Sequence, residues 1–309
     1  MHSEQPNVWV LLPVHNRRQS TLTFVKQLTA QTYKSWHLLL LDDGSEDGSA
    51  EAVQELTSKV SVLQGDGRWW WAGALDYGFR WLKHHADDVD DIVLIINDDT
   101  EIEADFLANG VANLCPRSLL LAQQYTAANR RLVEVGVIMD WKRFIHATTL
   151  RRNAVNCQPT RGLFLRVGDL REIGGFHPAL LPHYQSDYEF TMRAQRKGFD
   201  LISHPMVRLF YDEAQTGVHD LKNQGLLERL RIGFSKRYKF NPIYLTNFVF
   251  LACPPRYKVL NLMRIWKSFF RDVVFPGPSS STRFNAASQP MGPPPAPPLP
   301  EGDPAAIVG

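Results

Sequence analysis

Val8-Trp9-Val10-Leu11-Leu12, Trp36-His37-Leu38-Leu39-Leu40-Leu41 and Ile92–Ile96 are short, nearly unbroken apolar runs, and each gives way at once to polar residues. A strand covered on one face alternates apolar and polar side chains. Runs apolar at successive positions therefore call for burial on both faces, as in a parallel sheet under two layers of helices. A further strand is expected at Val60–Leu63, and helices at about Arg18–Gln31 and Ala72–His84. The order reads βαβαβαβ, which predicts a mostly parallel sheet flanked by helices, with ligands beyond the carboxyl ends of the strands.

The chemically rich residues cluster at those ends. Strand one runs into Pro13-Val14-His15-Asn16, strand two into Asp42-Asp43-Gly44-Ser45, and strand four into Asn97-Asp98-Asp99-Thr100. Carboxylates at a strand end can hold a hard divalent cation whose shell is completed by substrate phosphates. Asp98, Asp99 and Glu101 could instead simply end the strand and cap a helix near Glu103–Asn113. Asp42 and Asp43 could accept hydrogen bonds from a pyrimidine N–H or a ribose hydroxyl, or cap the next helix. Convergence of several such ends on one crevice is more telling than any one alone.

Trp69-Trp70-Trp71 cannot all face one side of a helix, so at least one is expected to line a cavity or surface patch, where indole offers a stacking plane for a sugar or base. The alternative is a wedge between sheet and helix. Further on, Ser186 reads as an N-cap, Asp187 and Glu189 fall in a first turn, and Gly198 closes the helix. Asp187 either complements the helix dipole or serves as a general base whose helix-end position lowers its pKa, with Glu189 opposing that shift. Neither a Gly-x-Gly-x-x-Gly nor a Gly-x-x-x-x-Gly-Lys-Ser/Thr sequence occurs, so dinucleotide and P-loop readings lose their main support.

Composition bounds the rest. With 309 residues, 44% of them hydrophobic, the chain can bury a large core, and its three scattered cysteines give no disulfide framework or metal pair, which suggests a reducing compartment. No run of about 18 apolar residues occurs and residues 1–6 show no signal pattern. A cytoplasmic protein is expected, or one peripheral on the inner face of the membrane. Residues 222–271 hold 11 basic side chains and a single acid, Glu228. Within them Arg256–Phe275 reads as a basic amphipathic helix, whose Trp266, Phe269 and Phe270 are expected either to enter an anionic membrane surface or to pack on the domain. Nucleic-acid binding is not expected, since no recognition module accompanies the basic block. Residues 276–309 carry ten of the twenty prolines and are expected to be a disordered tail.

Taken in order, these pieces resemble the family 2 glycosyltransferases. The resemblance rests on Val10–Asn16, Leu41–Gly48, Trp70–Gly78, Ile96–Thr100, Arg161-Gly162, Gly174-Gly175-Phe176 and Ser186–Phe190, and spans roughly residues 6 to 215. It implies a GT-A fold at 6–221, with a nucleotide-binding half at 6–114, an acceptor half at 115–221, and the basic extension at 222–275 appended. It also implies that Pro13, His15, Asn16, Asp42, Asp43, Gly73, Asn97 and Asp98 hold a nucleoside-diphosphate sugar, with UDP or dTDP as the nucleotide. Asp99 would ligate Mn²⁺ or Mg²⁺, and Asp187 would be the base in an inverting transfer to a hydroxyl of a glycan or polyprenol-linked acceptor, as in polysaccharide biosynthesis. Two residues depart from the family pattern. Asn97-Asp98-Asp99 stands for Asp-x-Asp, and Ser186-Asp187 for Glu-Asp, so a non-catalytic nucleotide-sugar sensor or scaffold is the competing expectation. His219 is a candidate further metal ligand.

Overall fold

The computed structural model describes residues 5–212 and 225–274. His219 and the Pro-rich segment 276–309 lie outside these residues. Strands β1 (Val8–Val14), β2 (Trp36–Asp42), β3 (Val60–Gln64) and β4 (Ile92–Ile95) alternate with helices α1 (Arg18–Thr29), α2 (Ser49–Leu56) and α3 (Trp70–His85), as the apolar runs predict. They lie in the order β3-β2-β1-β4, all parallel, with Val14 level with Asp42 and Leu11 level with Ile95. The polar ends of β1, β2 and β4 therefore share one edge.

Beyond β4 the alternation stops. The sheet continues through β10 (Leu163–Arg166), β6 (Ser118–Thr126), β11 (Asp200–Tyr211) and β5 (Thr100–Ile102), with β7 (Leu132–Glu134) paired to β6. Strands β10 and β5 run antiparallel to their neighbours, which makes the sheet mixed in this half. The mostly apolar sequence Leu132–Met139 reads as one continuous strand, but the structure breaks it in two, because β8 (Gly136–Asp140) leaves the main sheet to form a hairpin with β9 (Ile145–Thr149).

Burial on both faces explains the continuous apolar runs. On one face Val10, Leu12, Leu38 and Leu40 pack with Phe24 and Leu28 of α1 and with Phe106 of α4 (Phe106–Asn113). On the other, Leu11, Leu39, Leu41 and Ile95 meet Leu75 and Phe79 of α3, Ile173 of α5 (Val167–Ile173) and Phe190 of α6 (Ser186–Arg196).

The basic extension is not a free helix. After α7 (Leu226–Gly233), the almost wholly apolar α8 (Pro242–Ala252) is started by Asn241, whose side chain accepts from the Ile243 and Tyr244 amides. Phe248 of α8 joins Val137 and Met139 of the hairpin and Met192 of α6 in one cluster. Helix α9 (Pro255–Phe269) then seats Ile265 against Val249 and Cys253. Phe269 is 5% exposed and packs its ring tilted against Phe234, so it faces the protein rather than a membrane, and Trp266 is half-buried. Phe270 alone of the three expected membrane-entering aromatics is exposed. Among the described residues no helix is long and apolar enough to cross a membrane.

Gly110 of α4 lies against the fully buried ring of Phe164, where a Cβ would overlap the ring atoms. Gly110→Val is expected to destabilise the fold by about 1–3 kcal/mol through overpacking, read as a lower urea midpoint at unchanged slope.

Candidate active site

The site is built where β1, β2 and β4 end. Asp43, one residue past β2, turns its carboxylate toward the first turn of α3: Oδ1 accepts the Trp69 amide at 3.1 Å and Oδ2 the Trp70 amide at 2.9 Å. Asp43 thus caps α3, not the helix that follows it in sequence, which begins after Gly48 with Asp47 accepting from Ser49. The approach needs Gly65, where a Cβ would come within 2.8 Å of both Asp43 Oδ1 and the Trp69 indole. Asp42 is buried behind it, with Oδ1 accepting the Ser45 amide and Oδ2 without a partner. His15 Nδ1 lies 2.7 Å from the Asp43 carbonyl, and Asn16 is tied to Ser45 and Glu46 across the same edge.

These contacts frame a cavity of about 310 Å³ lined by Pro13, His15, Asp43, Asn97 and Asp98 of the expected donor residues. Trp70 and Trp71 also line it. Trp69 instead stacks on Tyr77 at 4.4 Å and borders a neighbouring depression that includes Gly73. Asn16, Asp42 and Asp99 are adjacent in the chain to lining residues without lining the cavity themselves.

Asp98 and Asp99 do not cap α4, because β5 intervenes and Asp105 precedes that helix. Both are bridged by Arg17, with Nε 3.1 Å from Asp98 Oδ1 and a terminal nitrogen 3.5 Å from Asp99 Oδ2. Thr21 donates to Asp98 Oδ2. Burial still outweighs these partners and raises the Asp98 pKa to about 6. A hard cation takes oxygen ligands. Asp99 Oδ1 and Asn97 Oδ1 are buried without hydrogen-bond partners and fit such a role. Among the described residues no three His, Cys, Asp or Glu side chains gather as a complete metal cage. The residues present therefore fit a cation held by one carboxylate, with a diphosphate supplying further oxygens.

Asp187 stands at the start of α6, after Gln185 in the left-handed region at φ 68°. Ser186 is the first helical residue, not the cap, and its hydroxyl donates to the His183 carbonyl. Asp187 is half-buried, and desolvation raises its pKa to about 6 against the pull of the Tyr188 amide and its own, and of Lys239 and Arg161. Glu189 takes no part in this: it faces away, buried against Arg193 and within 4 Å of Arg196 and His177. Glu134 and Arg161 share the Asp187 environment, and burial lifts the Glu134 carboxyl to about 8. His183, four residues before Asp187, lines the donor cavity and packs its ring edge-on to Trp70.

Three lining residues escaped the sequence reading. Arg17 directly follows His15-Asn16, so its place beside a strand-end motif was the available signal. His183 lies three residues ahead of Ser186, and a lone loop histidine carries no signal of its own. Arg237 belongs to the basic block, but the turn between α7 and α8 carries it to the donor cavity, 5.8 Å from the Trp70 ring. No carboxylate pairs with it among the described residues.

Comparison with known proteins accords with this geometry. The profile of Glycosyl transferase family 2 matches residues 9–163, and that of Glycosyl transferase family group 2 matches residues 92–270. The chain therefore belongs to glycosyl transferase family 2 and is a glycosyltransferase. No curated protein matches it in sequence. Among solved structures, the mannosyltransferase PcManGT from Pyrobaculum calidifontis, in complex with GDP-Man and Mn²⁺, is similar at TM-score 0.53 and 18% identity, covering 86% of this chain and 71% of that one. GalNAc-T7 with UDP, GalNAc and Mn²⁺ is similar at 0.58 and 14%, over 88% of this chain and 57% of that one. S. aureus TarS 1–349 in complex with UDP-GlcNAc gives 0.56 and 14%, over 85% and 90%. At these identities the likeness concerns the fold, a GT-A architecture.

Because Asp98 binds its proton more tightly in the folded than in the unfolded chain, its contribution to stability falls as pH rises through about 6. Arg17 offsets that loss only where Asp98 is charged. Because Arg17 also contacts Asp99, Arg17→Met should cost something at both pH values but about 1 kcal/mol more at pH 8 than at pH 5, the modest figure reflecting a partly exposed guanidinium; paired urea titrations read the difference.

Proposed function

We propose that the chain transfers a glycosyl group from a nucleoside-diphosphate sugar to an acceptor hydroxyl with inversion, Asp187 acting as general base. The observation that carries this reading is a cavity of about 310 Å³ lined by Asp43, Asp98, two indoles and His183, with a half-buried carboxylate whose pKa is raised to about 6 four residues after that histidine in the chain. A base of that pKa is largely ionised at neutral pH yet basic enough to take a hydroxyl proton.

In the proposed step Asp187 takes the acceptor proton while the freed oxygen attacks the anomeric carbon. The bond to the diphosphate breaks from the opposite face, and its electron pair leaves with the phosphate. Arg17 and Arg237 would meet the diphosphate charge at the cavity. A divalent cation, Mn²⁺ or Mg²⁺, would add charge neutralisation there when bound at Asp99; the Mn²⁺ in two of the solved structures supports this choice. The base is proposed to be uracil or thymine, whose N–H a carboxylate such as Asp43 can accept. The acceptor is a glycan or a polyprenol-linked sugar.

Asp187→Asn is expected to lower kcat roughly 10²-fold or more. The wild-type rate should rise with pH through about 6, and the variant should lose that inflection while keeping the donor-induced thermal shift. A wild type that binds the donor but transfers nothing to a broad acceptor panel would instead support a sensor. In the same thermal-shift assay Mn²⁺ should strengthen donor stabilisation, and Asp99→Asn should remove that increment.

Contact with an anionic membrane belongs to the same reading. Val259 (70% exposed), Met263 (60%) and Phe250 (57%) form an apolar outer surface, with Arg256 and Lys258 among them. Flotation with phosphatidylglycerol vesicles should retain the wild-type chain and lose Val259→Asp/Met263→Asp; equal recovery removes this part of the reading.

A further inference from the structure

A second cavity, of about 430 Å³, lies between the β8–β9 hairpin, the turn before α8, and α9. Its walls combine two chemistries. Met139, Phe144, Leu245, Phe248 and Ile265 supply an apolar interior, while Arg143, Arg264, Lys267 and Arg271 contribute four cations against one lining carboxylate, Asp272. Asp272 is already engaged by Arg271 and Ser268, and Arg143 lies 3.8 Å from Asp140. Arg264 donates to the Lys142 carbonyl and to Asn261 Oδ1, and so ties the hairpin to α9. Lys267 has no hydrogen-bond or ion-pair partner among the described residues.

A packing defect in a core would leave apolar space alone, and a solvated surface would not enclose it. Apolar space bordered by cations, of which Arg264 and Lys267 have no carboxylate partner among the described residues, suits a hydrocarbon that ends in an anion. The cavity's polar lining also leads toward the proposed base. His146 and Gln185 line it, the His146 ring meets Tyr188 at 5.4 Å, and Asp187 lies in the chain between Gln185 and Tyr188.

We propose that this cavity binds the lipid-phosphate portion of the acceptor, with one hydrocarbon chain in the apolar interior and its phosphate on Lys267 and the neighbouring arginines. The acceptor hydroxyl is thereby delivered past His146 and Gln185 to Asp187. The proposal rests on the glycosyl-transfer reading above and narrows its acceptor to a lipid-linked one.

The test titrates the full chain with farnesyl phosphate, following tryptophan fluorescence, since Trp141 packs on Phe248 and Trp266 on Phe269 at the cavity wall. Farnesol, inorganic phosphate and phosphatidylglycerol vesicles are titrated alongside. Saturable binding is expected for farnesyl phosphate, with farnesol and phosphate each weaker by roughly tenfold or more, the loss of one charge-assisted contact or of the apolar burial. Lys267→Glu should weaken it by a similar factor, and Ser268→Phe, which fills the cavity, should remove it. The UDP-sugar thermal shift should persist in both variants. Equal affinity for farnesol or for phosphate, or unchanged affinity in both variants, overturns the proposal. So does binding to vesicles without saturable binding of farnesyl phosphate, which would indicate surface contact only. Loss of the UDP-sugar shift in the wild type would instead count against the donor reading, a separate measurement.

Discussion

The carboxylate of Asp43 holds the donor side of the molecule together. By accepting the first amides of α3 it joins the end of β2 to a helix more than twenty residues away in sequence, and it fixes where Trp70 and Trp71 stand. Two free amides at a helix start are a local positive pole, and a carboxylate is a natural partner for it. The site is therefore not a groove into which functional groups happen to project. Its wall is the helix cap itself, and the residue that lines the cavity is also the one that positions the rest of the wall.

A second theme is charge held in reserve. Asp98 and Asp99 follow one another just past the end of β4, and Arg17 lies across both, so one guanidinium serves two neighbouring acids. Three helix starts carry a left-handed backbone residue. Asn16 precedes α1, Trp70 opens α3 and Gln185 precedes α6, all with positive φ. Asparagine accepts that conformation readily, whereas for tryptophan it is an outlier that surrounding structure must enforce.

Much of the first half was legible in the sequence, because continuous apolar runs admit few arrangements and their polar ends must then share an edge. The second half was less so. Gly136, at φ 150°, lets the chain leave the sheet for the hairpin, and nothing in the apolar pattern of Leu132–Met139 announces it. Capping roles were also misassigned, since Asp43 reaches α3 rather than α2, and Gln185 rather than Ser186 precedes α6. Local preference identifies residues able to cap but not the partner that tertiary packing supplies. Glu189 shows the same limit: neighbours in sequence to Asp187, it turns to Arg193 on the opposite side. The basic block read as a surface, yet Arg237 from it faces the donor cavity, because the aromatic Trp70 offers its cation a place to rest.

That short turn between α7 and α8 has an architectural consequence. Arg237 borders one hollow and the next residue, Tyr238, borders the other. A single peptide link is thus common to both chambers. The wall of each is therefore set in part by the same backbone, so a substitution that re-bends this link would reshape both hollows together.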